Sequence, residues 1–192
     1  MNDILKACFS SFLKDPQEVS FDGMDDNEKV VLLMRMHVIK NVPWIVFTIV
    51  LVLAPILVYQ FFKFGGVNLN LYLPANYQRI ALLFWYLCVF MYAFESYLTW
   101  YFNVYIVTTK KVIDIDFFGI LSRRVSDCSI SKIQDATYTV MGILPTIFNY
   151  GFVYIQTAGE DKVLEYDFVP RPAYVHDVIS DLAAKIKGDD VL

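Results

Sequence analysis

Hydrophobic positions change their period twice along this chain. From Trp44 to Phe62 they are continuous, with no charged residue, and from Ile80 to Trp100 they are interrupted by one charge, Glu95. A helix of about 20 apolar residues spans the hydrocarbon layer of a bilayer. The pattern therefore predicts two spanning helices, at 43–63 and 79–102, with a short link at 64–78 that holds Gly65, Gly66 and Pro74. Pro43 suits a first helical turn, where its missing N–H costs nothing. Pro55 lies inside the first span, kinks it, and requires a neighbouring group to satisfy the carbonyl it frees.

From Asn103 the period drops to two. Ile113, Ile115 and Phe117 alternate with Asp114 and Asp116, Val153 and Ile155 with Tyr154 and Gln156, and Leu164, Tyr166 and Phe168 with Glu165 and Asp167. Such alternation marks half-buried strands with one face in water. Strands are expected at 103–109, 111–118, 121–130, 133–140, 151–157 and 162–169, with turns at Thr109-Lys110, Phe118-Gly119 and Ala158 to Asp161. Their short spacing predicts an antiparallel meander. Met141 to Tyr150, with Gly142 and Pro145, breaks the alternation and accommodates one helical turn.

After Pro172 the period becomes 3.6. Val175, Val178, Ile179, Leu182 and Ile186 form one apolar stripe, Lys185 and Lys187 complement the helix dipole, and Gly188 marks the stop. This helix is expected to cap a strongly bent sheet of six or seven strands.

The amino-terminal segment is less regular. Ile4, Leu5, Phe9, Phe12 and Leu13 fit one face of a short interfacial helix, or equally a partly ordered tail. Asp15-Pro16 and the acidic stretch from Asp22 to Glu28 read as a loop. Residues 27–42, opened by Asn27 as a cap, are expected to form a juxtamembrane helix. The predicted division is an N-terminal cytoplasmic segment at 1–42, a two-helix transmembrane hairpin at 43–102, a β domain at 103–187 and a tail at 188–192.

Composition agrees with the membrane reading: 57% of residues are hydrophobic and 17% aromatic, with Tyr77, Trp100 and Tyr101 flanking the second span as an interfacial belt. Lys and Arg fix the orientation. Lys29, Arg35 and Lys40 precede the first span, and Lys110, Lys111, Arg123 and Arg124 follow the second, whereas only Lys63 and Arg79 bracket the link. The richer side is cytoplasmic, so both termini are expected there, in a multi-pass protein of the inner membrane. No signal-peptide pattern precedes the first span. Net charge is −4, which argues against a nucleic-acid partner. Cys8, Cys88 and Cys128 are scattered, without a paired spacing, and fit a reducing compartment.

The order of elements and the local wording resemble a known family. Tyr105 to Val112 (Tyr-Ile-Val-Thr-Thr-Lys-Lys-Val) is similar to the opening strand and turn of the bacterial pleckstrin-homology-like, or membrane-flanked, domains. Gly119 to Arg123 resembles their second turn, Ser131 to Asp135 their most recognisable stretch, and Gly151 to Gly159 their late glycine-led strand. The resemblance covers residues 103–187. It implies an antiparallel β-barrel of pleckstrin-homology type, closed by a C-terminal helix and hung on two membrane helices, and it implies no enzyme activity; no cofactor is expected.

The candidate chemistry is sparse. His37 and His176 are the two histidines, and neither comes with a nucleophile, a phosphate loop or a paired-ligand spacing, so no enzyme and no metal site are expected. Lys110, Lys111, Arg123, Arg124 and Lys132 are candidates for binding anionic lipid headgroups; the competing reading is that they set topology and stay solvated. Residues 103–192 carry nine Lys and Arg against twelve Asp and Glu, a net −3, so any basic patch must be local. Glu95 is a candidate intramembrane functional residue, or it snorkels to the interface. The expected function is a scaffold or binding module for protein partners, further copies of the chain or anionic phospholipid. The alternative is an auxiliary subunit of a transport or export system that uses Glu95 and the Pro55 kink.

Overall fold

The computed structural model describes residues 11–16, 24–25, 27–66, 74–119, 122–157 and 163–189. The chain divides into two compact units. One comprises Met1–Lys40 with Trp100–Leu192, and the other Asn41–Thr99.

The helical unit holds α1 (Val42–Phe64) and most of α2 (Ala75–Phe102). Both are long and apolar enough to cross a membrane, and their large apolar side chains point outward. Pro43 stands in the first turn of α1 and Pro55 in its interior. A proline at 55 leaves the Leu51 carbonyl without its usual amide donor. The Trp85 indole of α2 donates to that oxygen at 2.9 Å, and the Tyr86 hydroxyl donates to Val52 O at 3.3 Å. The group freed by the proline is therefore bonded from the neighbouring helix.

The other unit is built on β-structure. A five-stranded antiparallel sheet runs β1 (Phe12–Lys14), β2 (Val30–Arg35), β3 (Val104–Thr108), β4 (Lys111–Phe118) and β5 (Ser122–Ser129) in spatial order. A three-stranded antiparallel sheet holds β6 (Ile133–Thr139), β7 (Tyr150–Thr157) and β8 (Val163–Pro170). A 3-10 turn at Ile130–Lys132 carries the chain from one sheet to the other. Among the described residues β5 does not pair with β6, nor β1 with β8, so the expected barrel is two sheets rather than one closed ring.

Two further expectations are corrected. Residues 30–35 form a strand instead of a juxtamembrane helix, followed by a short 3-10 helix at Val38–Asn41. Leu32 and Met34 enter the main core, Val30 enters a smaller cluster with Ile106 and Ile113, and a bulge lies between Val30 and Leu32. A strand covered on both faces shows continuous apolar residues, which periodicity cannot separate from a helix. Phe12 and Leu13 also lie in a strand, whereas Ile4, Leu5 and Phe9 fall outside the described residues.

The main core lies between the sheets. Tyr105, Val107 and Val112 from the first meet Val153, Ile155, Tyr166 and Val169 from the second. Two more helices complete the unit, α3 (Ile143–Phe148) and α4 (Pro172–Asp189). The stripe on α4 packs as its spacing predicts, with Val175 and Ile179 fully buried and Val178, Leu182 and Ile186 against them. Gly151 is required by a close approach: a Cβ there would stand 2.5 Å from Thr139 O and 3.1 Å from Pro172 Cγ.

Candidate functional site

The basic residues of the β3–β4 hairpin are held by carboxylates. Lys110 Nζ lies 2.9 Å from Asp25 Oδ2, and Lys111 Nζ lies 3.4 Å from Glu28 Oε2. The Glu28 side chain is fully buried. Its Oε1 accepts from the Thr108 hydroxyl, and its Oε2 accepts from the Asp25 N–H at 3.1 Å. Thr108 Oγ1 in turn accepts from the N–H groups of Lys110 at 3.1 Å and Lys111 at 2.9 Å. Glu28 thus fixes the turn from within. Lys110 beside Asp25 holds that carboxyl below its ordinary range.

Arg123, Arg124 and Lys132 are exposed, the two arginines on β5 and Lys132 in the 3-10 turn. Arg124 stands opposite Asp116 in the ladder, and Arg123 opposite Phe117. The five basic residues are therefore split between the β3–β4 hairpin, where carboxylates hold both lysines, and β5 with the 3-10 turn after it, where Arg124 faces Asp116. Glu95 is exposed on α2. His176 Nδ1 lies 3.0 Å from Asp177 Oδ1 on the outer side of α4.

Asp114 departs from the sequence expectation. The wet face assigned to Asp114 and Asp116 turns toward the main core, and Asp114 is only 8% exposed. Ile113 is buried in the smaller cluster, and Ile115 packs against it. Both faces of β4 are covered, so alternation there marks two cores rather than core and water. Tyr105 and Tyr166 stack beside the carboxylates at 4.4 Å. The Tyr166 hydroxyl donates to Ile113 O at 3.1 Å, and the Tyr105 hydroxyl accepts from the Asp167 N–H at 3.0 Å. Asp114 Oδ1 is buried without a partner. Burial first, then the charges of Asp116 and Asp167, push the Asp114 carboxyl up to about 7, and burial raises Asp116 as well. Among the described residues no three His, Cys, Asp or Glu side chains converge so as to hold a metal ion.

A cleft of about 490 Å³ opens elsewhere on the same unit, lined by Ser11, Phe12, His37, Phe148, Asn149 and Arg171. Its wall is conformationally unusual. Asn149 (φ 51°) and Arg171 (φ 54°) both adopt the left-handed region, and the Arg171 N–H donates to Asn149 O at 2.9 Å. Phe168 (φ 51°) stands at the bulge of β8, and its carbonyl accepts from the His37 N–H at 2.7 Å. Left-handed backbone at non-glycine residues costs on the order of 1–3 kcal/mol each, and it concentrates where structure over-determines a site. The His37 ring stacks on Tyr150 at 5.1 Å, Tyr150 stacks on Phe168 at 5.7 Å, and Lys40 Nζ sits 4.6 Å from the Phe168 ring centre. Arg171 lies 5.5 Å from the ring centre of Phe12. Burial lowers the His37 pKa, and its Nδ1 accepts from the Ile39 N–H at 3.3 Å. The neutral ring therefore carries its proton on Nε2. This cleft joins four separate stretches of chain, so no spacing rule points to it; of its lining, the sequence singles out His37 as a candidate for chemistry, Phe12 for an apolar helix face and Phe148 for a partner surface on the loop from Ile143 to Tyr150.

Two antiparallel sheets packed through an apolar core, with one C-terminal helix laid across the second, define a pleckstrin-homology-like β domain. The family model described as bacterial PH domain matches residues 30–183, from the first residue of β2 into α4, and the chain belongs to that family. The chain is also similar to two crystal structures. One is a duf1696 family protein with a pleckstrin-homology domain from Shewanella loihica PV-4 (17% identity, TM-score 0.34, covering 42% of this chain and 70% of that one). The other is a pleckstrin homology domain from Shewanella amazonensis SB2B (18% identity, TM-score 0.33, covering 43% and 75%). A search of curated proteins finds no match.

Proposed function

We propose that this chain is a non-enzymatic integral membrane protein that presents a cytoplasmic pleckstrin-homology-like domain as a scaffold or binding module. The observation that carries this reading is the outward apolar surface of α1 and α2 in a chain whose remainder is a bacterial PH domain. Side chains such as Leu57, Phe61, Leu83 and Phe84 are more than half exposed, and burying a side chain of that size from water stabilises by about 1.5–3 kcal/mol. A bilayer supplies such burial. The Lys and Arg distribution supports an inner-membrane protein with both termini in the cytoplasm.

Protein partners, further copies of the chain and anionic phospholipid are the proposed ligands. Within the basic set, Arg123 and Lys132 are the stronger headgroup candidates, because Lys110 and Lys111 already face carboxylates and Arg124 stands opposite Asp116. An auxiliary role in transport draws less support, since the Leu51 carbonyl freed by Pro55 has a structural partner in Trp85. Membranes carrying the full chain, washed in alkaline carbonate, should retain it. A cytoplasmic reporter should be active at Leu192 and a periplasmic one within the 64–78 link. Release by carbonate, or the opposite reporter pattern, overturns the reading.

A further inference from the structure

The β unit turns a strongly apolar surface outward at α3. Met141 is 76% exposed, Ile143 78% and Ile147 67%, and about half of Leu144 and Phe148 is exposed as well. No charged residue occurs from Val140 to Tyr150. A contiguous uncharged surface of this kind marks a contact with something apolar.

The cleft begins where α3 ends, and Phe148 belongs to both. Its chemistry is the opposite of the α3 surface. Arg171, the Nε2–H of His37, Ser11 and Asn149 are all donors, and among the described residues no carboxylate lines it. Among the described residues Arg171 has no ion pair, in contrast to Lys110 and Lys111. Such a donor set suits an oxyanion, and arginine suits phosphate in particular. An apolar ledge that ends in a cationic cleft reproduces the order of acyl chain and headgroup at a membrane surface.

We infer that α3 and the adjoining cleft form a membrane contact in addition to α1 and α2. Ile143, Leu144 and Ile147 enter the acyl boundary, and the phosphodiester of an anionic glycerophospholipid occupies the cleft beside Arg171. The inference rests on the reading that α1 and α2 hold the chain in a bilayer, which brings lipid within reach of this unit.

The test uses the full chain in a Cys8→Ser, Cys88→Ala, Cys128→Ser background, reconstituted in phosphatidylcholine nanodiscs with or without phosphatidylglycerol. A single NBD fluorophore is placed at Leu144→Cys, at Val50→Cys on α1, or at the exposed Glu165→Cys on β8. Doxyl groups on the acyl chains should quench NBD at 50 and 144 and leave 165 bright. Quenching at 144 should strengthen with phosphatidylglycerol. Arg171→Gln should weaken that lipid response about fivefold, as one basic residue at an anionic leaflet predicts, and Arg171→Lys should restore most of it. Quenching at 50 with an NBD at 144 that stays open to aqueous iodide overturns this inference and leaves the spanning helices standing. No quenching at 50 overturns the membrane reading itself. Shielding of 144 from both quenchers, with a disulfide joining two chains of the unlabelled Leu144→Cys variant, assigns the surface to a second copy and overturns the lipid contact. Release of 144 from the acyl quencher by inorganic phosphate assigns the cleft to a free anion, with the same consequence.

Discussion

Single residues in this protein carry roles that their sequence neighbourhood disguises. Glu28 looks like part of an acidic loop, yet it is buried and binds Thr108 and Lys111 across the sheet. Removing one partner of a buried pair leaves an uncompensated charge, which costs about 3–5 kcal/mol. Lys111→Gln should therefore destabilise the β unit by an amount of that order. Lys110→Gln, at an exposed pair, should cost under about 1 kcal/mol. Protease-detected melting of the full chain in detergent micelles separates the two, and equal effects would show that Glu28 does not depend on Lys111. Asp114 sets a pH dependence. Its carboxyl is raised from an ordinary 3.8 to about 7 in the folded chain, while the unfolded chain loses that proton near pH 4. Between those values the folded state holds a proton that the unfolded state has released, so stability falls as pH rises across the window. The difference caps the effect at roughly 4 kcal/mol, with the opposing pull of Arg124 already included. Asp116, also raised, adds a slope of the same sign, while Tyr105, Tyr166 and Asp167 complete the surroundings. The melting midpoint should be higher at pH 5 than at pH 8, and Asp114→Asn should flatten the difference. His37, whose pKa burial lowers, adds a slope of opposite sign below about pH 6.5, so the decisive readout is the comparison: an Asp114→Asn variant that keeps the wild-type pH slope contradicts a buried neutral carboxyl.

At the scale of elements, legibility followed period and punctuation. The six later strands and the terminal helix were readable to within a residue or two, β4, β7, β8 and the helix by their period and β3, β5 and β6 by the turns that bound them. β2 was not, since its alternate residues enter two different clusters and no polar position interrupts the run. β4 misled in another way: its strand was correct but its aspartates were assigned to water, because sequence alternation does not say what covers the second face. The cleft was illegible for a topological reason, as residues 11, 37, 149 and 171 meet only after both sheets have formed. Pro55, by contrast, announced its own requirement, and Trp85 fulfils it. Trp85→Phe keeps the ring but removes the donor to Leu51 O. It should weaken the helix pair by about 1 kcal/mol, the usual size of one interhelical hydrogen bond in a membrane setting. Reversible unfolding in mixed micelles measures this, and a neutral result would mean that the carbonyl freed by Pro55 needs no donor from α2.

The whole molecule is less modular than its sequence suggests. Two apolar runs followed by a β pattern read as consecutive domains, yet β2 pairs with β3 from Val30↔Thr108 to Val104↔Arg35, on either side of α1 and α2. The family match, which starts at Val30, spans the same discontinuity. Residues 103–192 expressed alone would lack Leu32 and Met34, two fully buried side chains, and would leave the β3 edge unpaired. Losing large core side chains costs about 2–5 kcal/mol each, comparable with the stability of a small domain. The isolated fragment should aggregate or exchange all its amides rapidly, and a peptide of residues 24–40 added in trans should restore protection. A monomeric, well-protected fragment would show that β2 is dispensable.

That interrupted pairing also dictates an order of assembly in the cell. β2 is made some 70 residues before its partner strand, and until then its apolar side chains have no sheet to enter. Pairing of α1 with α2 is what brings the two strands together, converting a long and entropically unfavourable closure into a short one. On the proposed membrane reading, biogenesis and maturation are coupled: a chain whose hairpin failed to insert would leave an incomplete sheet with an open edge.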